Sequence, residues 1–286
     1  MKNGIAEIDH LLTYVADLDA AAAAYRRLGF TLSPRSHITA MGILNHLVLL
    51  HPRTHGAASY IELMAAVERA RLPPPMAPIL HGEEGIKSMV MMTPDARAAQ
   101  AELVVNGVPF APPAHVRREW VIPGEGSVWP EFDVLLPIPA PLAFNACQYH
   151  NVGLYLRPEW QAHANGARTL NRVFAAADDP LLALAYFSSL FGKAPGPLAD
   201  GGAELSPGRT RLTLYPSAVL AARFGAMAPV TSGAAAYLGY QVGVIDLRAT
   251  RAALDAGRVD YAQTECGVAV APRDACGNLI EFTELP

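Results

Sequence analysis

The chain has 286 residues, 51% hydrophobic and 17% charged, which is ample apolar material for one large or two ordinary cores and too much for a disordered chain. Lysine and arginine number 22 against 26 acidic residues, a net charge of −4 with no basic stripe, so nucleic acid and anionic membrane surfaces are excluded as expected partners. Three cysteines make no disulfide framework, no apolar run reaches the ~18 residues of a spanning helix, and the N-terminus carries acids where a secretory leader is apolar.

One plan recurs four times along the chain. The first unit has an apolar strand over residues 8–15, Asp17, the helical run LDAAAAAYRRL, Gly29, and strands at 46–50 and 60–64 around the turn PRTHGAAS. A second unit repeats it with a strand at 86–92, Asp95, the helix ARAAQAELVVN, Gly107, and strands at 132–136 and 143–150. In the third, a strand at 170–176 meets Asp178-Asp179-Pro180, the helix LLALAYFSSLF and Gly192, and residues 211–215 form a later strand. The fourth has a strand at 238–245, Asp246, the helix LRATRAALDA, Gly257, and strands at 267–271 and 278–282 flanking PRDACG. Aspartate caps the free amides at a helix start and complements its dipole, and glycine past the last turn ends the helix. Each unit is therefore approximately βαβββ. The expected fold is α+β, with domains at 1–150 and 169–286 joined by a linker over 151–168.

Particular stretches then resemble a known group. Ile8-Asp9-His10 opens the first unit, Gly42 and Asn45 precede a strand, and Tyr60-Ile61-Glu62-Leu63 closes it. Gly85-Ile86-Lys87 opens the second, which ends in FNACQYH before RPEWQAHANGA, and Asp274 followed by Gly277-Asn278-Leu279-Ile280-Glu281-Phe282 closes the fourth. These resemble the vicinal oxygen chelate superfamily of glyoxalases, extradiol dioxygenases and bleomycin-resistance binding proteins, and most of all its glyoxalase-like branch. The resemblance implies that paired units curl into half-barrels, around one divalent ion in the members that use a metal. Zn, Ni, Mn and Fe(II) all suit its imidazole and carboxylate ligands. No nucleotide motif such as GxGxxG or GxxxxGK[ST] occurs, so no nucleotide cofactor is expected.

Carried over by position, the resemblance places His10 and Glu62 as metal ligands and catalytic groups. In the second unit Ser88 stands where His10 does, and Gln148 or His150 completes or adjusts the site. In the third unit Asn171 takes the His10 position, with Leu214 or Tyr215 near that of Glu62; the fourth offers Gly239 or Tyr240 and Glu281. That half is expected to be structural, so Glu281→Ala should affect stability only. His37, Asn45, Arg117, Arg118, Trp120 and Gln148 are the candidate ligand-binding residues. The arginine pair is either a clamp for an anionic substrate group or surface charge. His10 could instead hydrogen-bond across the barrel, Glu62 could pair with Arg117 or Arg118, and His150 could be a solvated or capping histidine. Trp120, Trp129 and Trp160, with Phe132 and Tyr149, would line an aromatic wall or serve as packing lids. Cys147 is expected to face the core, and His163 to be a linker contact.

The function expected from this reading is a metal-assisted lyase, isomerase or ring-cleaving dioxygenase acting on a small oxygen-rich or aromatic substrate. Its alternative is a metal-free protein that binds or sequesters a small molecule. A bacterial, cytoplasmic monomer or homodimer is expected in either case.

Overall fold

The computed structural model describes residues 4–138, 140–229 and 234–286. The first unit runs β1 (Glu7–Tyr14), α1 (Leu18–Arg27), β2 (Ser36–Ile38), β3 (Ile43–Leu49) and β4 (Tyr60–Ala66). The second runs β5 (Gly85–Met92), α2 (Ala96–Val105), β6 (Ala114–Arg117), a hairpin of β7 (Trp120–Ile122) and β8 (Gly126–Val128), β9 (Glu131–Ile138) and β10 (Phe144–Tyr149). A short α3 (Pro158–Gln161) follows. The third unit is β11 (Ala167–Ala176), α4 (Pro180–Phe191), β12 (Gly196–Pro197), β13 (Ala203–Leu205) and β14 (Arg211–Tyr215), with an added α5 (Ser217–Phe224). The fourth is β15 (Ala236–Val244), α6 (Leu247–Ala256), β16 (Tyr261–Gln263), β17 (Gly267–Val270) and β18 (Leu279–Glu284).

Two eight-stranded sheets result, in the orders β2-β3-β4-β1-β5-β10-β9-β6 and β12-β13-β14-β11-β15-β18-β17-β16. In both, the first strands of two units pair antiparallel at the centre, and each unit's last strand lies parallel to its first. The α+β class and the paired half-barrels expected from sequence are what the chain forms.

The four aspartate caps follow the expected pattern. Asp17 accepts from the amides of Asp19 and Ala20, Asp95 from Arg97 and Ala98, Asp179 from Leu182, and Asp246 from Arg248. Gly257 differs from the other three helix-ending glycines: its φ is −76°, so it needs no left-handed backbone. It is required instead by close approach, because a Cβ there would lie 1.9 Å from the carbonyl oxygen of Arg27 at the end of α1.

The helix-bearing faces of the two sheets pack against each other in one continuous core that includes Tyr25, Phe30, Phe187, Tyr240 and Phe282. The Tyr25 hydroxyl meets that of Tyr240 at 3.1 Å and accepts from Asn278 at 3.2 Å, so its polar end is satisfied inside the core. Burial as the main cause holds the Tyr25 hydroxyl far above its ordinary titration range, so it stays a neutral hydrogen-bonding group. With the helical faces packed on each other here, the concave face of each sheet points away from the other sheet.

Those concave faces have different fates. In the second sheet α5 lays Leu220 and Phe224 onto Phe174, Tyr215 and Leu279, filling the half-barrel with apolar side chains. The first sheet has no such plug among the described residues and keeps a cavity. Sequence periodicity had not revealed α5, although Leu220 and Phe224 stand four residues apart on one helical face. Nor had it revealed the β7–β8 hairpin, whose strands are too short to show alternation. No helix among the described residues is long and apolar enough to cross a membrane.

His163, in the segment after α3, bonds back to the first sheet: Nε2 donates to the carbonyl of Leu49 at 2.8 Å and Nδ1 accepts from the Thr31 amide at 3.0 Å. Burial drives its pKa down to about 4. Because the folded value lies below the ordinary 6.5, the unfolded chain takes the proton first. The stabilising contribution is complete above pH 6.5 and is lost as pH falls toward 4, amounting to at most about 3 kcal/mol. Urea titrations between pH 7.5 and 4 should therefore show a falling stability whose slope shrinks by about one proton in His163→Gln.

Candidate active site

β1 carries the central residue, and a bulge puts it there. Ile8 pairs with Met91 and His10 with the adjacent Val90, so Asp9 is an extra residue in the ladder. Ile8 and Leu11 both lie in the helix-side core, an odd spacing that simple alternation forbids. The bulge is what turns His10 to the concave face, where it joins Leu12, Tyr60, Glu62, Val90, Asn145, Cys147 and Tyr149 around a narrow cavity with ≈ 70 Å³ open to the centres of water molecules. The rest of the lining is mostly apolar, including Ile38, Met64, Met76, Phe132 and Leu136.

The same bulge gives His10 its partner. Asp9, fully buried, accepts from His10 Nδ1 at 2.6 Å, from the Tyr149 hydroxyl at 2.7 Å and from the Ala58 amide at 2.7 Å. A carboxylate on Nδ1 fixes the tautomer that carries its proton there and leaves the Nε2 lone pair free. Nε2 stands 3.2 Å from the Tyr60 hydroxyl and 3.8 Å from Glu62 Oε2. The Tyr60 ring stacks on the imidazole at 4.0 Å and sets its plane. Glu62 is buried and accepts at Oε1 from Asn45 Nδ2 at 2.5 Å, which leaves Oε2 toward the histidine. Glu62 therefore pairs with neither Arg117 nor Arg118.

Burial, its largest cause, pushes the Tyr60 and Tyr149 hydroxyls and the Cys147 thiol well above their ordinary ranges, and the Tyr155 hydroxyl up to about 12. All four remain protonated at neutral pH and face the cavity as neutral groups.

Strand register assigns the counterparts of His10 and Glu62. Leu12 pairs with Glu62 on β1 and β4, and in the second unit Val90 pairs with Asn145 on β5 and β10. The second pair is thus Ser88 and Asn145, with Ser88 Oγ donating to Asn145 Oδ1 at 2.8 Å. Gln148 is not at this position. On β10 Phe144 and Ala146 face the core, so Asn145, Cys147 and Tyr149 face the cavity and Gln148 turns outward, where its Oε1 caps the Ala96 amide at the start of α2. Cys147 accordingly lines the cavity rather than the core. His150, also on the helix-bearing side, meets Asp133 at 3.3 Å.

Of the arginine pair only Arg118 reaches the cavity. It is buried, bonds the Ser36 hydroxyl, and lies 5.2 Å over the Trp120 ring. No carboxylate stands within 4.0 Å of it among the described residues, and its Nε has no partner there. Arg117 is exposed against Trp129, and His37 is exposed against Glu68 at 3.6 Å. Trp120 is buried behind the wall, its indole N–H donating to the Pro34 carbonyl, so it supports Arg118 rather than lining the cavity. Sequence reasoning missed Asp9, Asn145 and Tyr155. The usable signal for Asn145 was its setting between Phe144 and Ala146, which matches Glu62 between Ile61 and Leu63.

In the second sheet the same register gives Arg172 and Thr213, then Gly239 and Glu281. Arg172 replaces the expected Asn171 because Asp179 and not Asp178 caps α4, and the pairing of Phe174 with Thr213 puts Thr213 in place of the expected Leu214 or Tyr215. No side chain fits at 239, where a Cβ would lie 1.8 Å from the Leu279 carbonyl oxygen.

A family model described as "Glyoxalase-like domain" matches residues 8–191. None of the curated proteins matches the chain. Among solved structures, a hypothetical protein from Staphylococcus aureus superposes with a TM-score of 0.66 at 12% identity, over 97% of this chain and 98% of that one. A mutant of 4-hydroxymandelate synthase from Streptomyces coelicolor gives 0.54 at 11% identity, over 98% and 93%. A xylose isomerase-like TIM barrel/4-hydroxyphenylpyruvate dioxygenase fusion protein gives 0.54 at 13%, over 98% of this chain and 48% of that one. At such identities the structural likeness shows the fold alone.

Proposed function

The chain belongs to the glyoxalase-like domain family, within the vicinal oxygen chelate superfamily, and we propose that it is an enzyme performing proton-transfer chemistry on a small, largely apolar substrate bearing an anionic group. The observation that carries this is the buried Asp9–His10 pair, with His10 Nε2 set 3.8 Å from Glu62 Oε2 in an apolar cavity. A protein that merely sequesters an apolar ligand gains nothing from desolvating an imidazole and two carboxylates. An acid–base enzyme needs that placement. Arg118, a buried cation with no carboxylate partner among the described residues, supports an anionic group on the substrate, and Met64, Met76 and Phe132 support an apolar body.

In this reading Glu62 Oε2 or His10 Nε2 takes a proton from the substrate and the same group returns it to the product, while the other accepts a hydrogen bond from the protonated partner. Tyr60 and Tyr149, 3.1 Å apart, link the cavity to Asp9 by hydrogen bonds. The donors of the cavity also bear on a divalent ion such as Zn, Ni, Mn or Fe(II). His10 and Glu62 fit two of its positions, whereas Ser88 and Asn145 are neutral and bonded to each other. That set fits an ion held by two protein side chains and completed by water and substrate, not one held by four. Bound there, the ion would polarise two adjacent substrate oxygens.

The test is a panel of diols, catechols and 2-oxo acids, each with and without a carboxylate, followed by proton NMR in D2O with Mn, Fe, Ni or Zn or with chelator. Expected are hydrogen exchange or conversion for carboxylate-bearing members, a fall of about 10²–10⁴-fold in His10→Ala, and a raised KM in Arg118→Ala for carboxylates only. Binding without conversion under every condition, undiminished in His10→Ala, would favour the sequestering reading instead. The neutral Ser88–Asn145 pair is the observation on that side.

A further inference from the structure

The helix-bearing face of the first sheet carries, near the β6 edge, a cluster that the cavity chemistry does not use. His115 on β6 stands directly opposite Asp133 on β9, and His150 follows β10 on the other side of Asp133. His115 Nδ1 lies 2.7 Å from Asp133 Oδ1, and His150 Nε2 lies 3.3 Å from Asp133 Oδ2. Phe132 and Tyr149, the sequence neighbours of Asp133 and His150, line the cavity, so strand alternation places the cluster on the opposite side of the same wall. The β6–β9 register fixes His115 against Asp133, and two bonds hold His150 to the start of β9: its amide donates to the Glu131 carbonyl at 2.9 Å, and the Glu131 amide donates to Asn151 Oδ1 at 2.9 Å.

We propose that His115, Asp133 and His150 form a surface site for a borderline transition-metal ion such as Zn²⁺, Ni²⁺ or Co²⁺, separate from the cavity. Two imidazole nitrogens and one carboxylate oxygen lie within 4.8 Å of one another, the one such group of three among the described residues. Donors of a tetrahedral ion with bonds near 2.0–2.1 Å stand about 3.3 Å apart, so the gap closes by rotation of two outward-facing imidazoles. Mixed imidazole and carboxylate ligation suits these ions and leaves room for water.

A feature beyond the three donors supports the assignment. Metal at His115 Nδ1 requires the ring proton on Nε2, and Glu131 Oε1 waits 3.5 Å from that nitrogen to accept it. A carboxylate behind a ligating histidine is the arrangement that fixes the required tautomer. Each imidazole stays neutral, with its proton moved to the other nitrogen. Because β6 is the edge strand of the sheet, the ion would tie that edge to β9 and β10.

The experiment is calorimetric titration of untagged, metal-stripped protein with Zn²⁺, run on wild type, His115→Ala, His150→Ala and His10→Ala, with melting temperatures recorded with and without Zn²⁺. Wild type and His10→Ala should both bind an ion that His115→Ala and His150→Ala each bind at least tenfold more weakly. The Zn²⁺-induced rise in melting temperature should likewise vanish in those two variants. Absence of Zn²⁺ binding in wild type would overturn the proposal. Binding that survives His115→Ala and His150→Ala but is lost in His10→Ala would overturn it too, by assigning all the metal to the cavity.

Discussion

Asp9→Asn is expected to silence the cavity histidine while leaving the protein folded. The asparagine oxygen can still accept from the Ala58 amide, which now bonds Asp9 Oδ2. Its NH₂ group replaces Oδ1 opposite His10 Nδ1 and the Tyr149 hydroxyl, and it brings one donor for each. His10 Nδ1 must then accept, so the ring proton moves to Nε2 and the cavity meets an N–H where it had a lone pair. An N–H at that point can neither take a proton nor bind a metal. Turnover of any compound found by the NMR panel should fall about 10²–10⁴-fold, the range for a positioned acid–base group. The ¹⁵N shifts of the His10 ring should show the tautomer exchanged, and urea unfolding should remain cooperative. An unchanged tautomer with unchanged turnover would mean that Asp9 does not set the state of His10.

This pair shows how far the sequence could be read. His10 and Glu62 were legible because each stands in a motif at the start and end of a unit. The four aspartate caps were legible because capping is a local interaction. Asp9 was not: alternation sends residue 9 and residue 10 to opposite faces, and only the bulge between Ile8 and His10 brings both to one network. Chemical likeness to Glu62 points to Gln148, whereas register, a property of two strands together, selects Asn145. The arginine pair could not be divided by sequence, since β6 ends at Arg117 and the burial of Arg118 depends on Ser36 and Trp120, which come from other strands.

Glu281 occupies the register position of Glu62 in the second sheet, and its replacement should have the opposite consequence. It is fully buried and accepts three hydrogen bonds: Gln241 Nε2 donates at 2.8 Å, Thr264 Oγ1 at 2.8 Å and Arg223 Nη2 at 3.3 Å. Arg223 belongs to α5, so this carboxylate anchors the helix that plugs the half-barrel. Glu281→Ala would leave a guanidinium, an amide and a hydroxyl without their acceptor. Removal of one partner from such a buried cluster costs about 3–5 kcal/mol, read as a fall in the urea midpoint at unchanged slope. Ligand binding in the first cavity should not change at temperatures where the variant is folded, because no Glu281 contact reaches it. The contrast isolates what makes Glu62 a candidate for chemistry. Both carboxylates are buried on equivalent strands, but Glu62 spends one oxygen on Asn45 and turns the other toward His10, while both oxygens of Glu281 accept bonds that hold the fold.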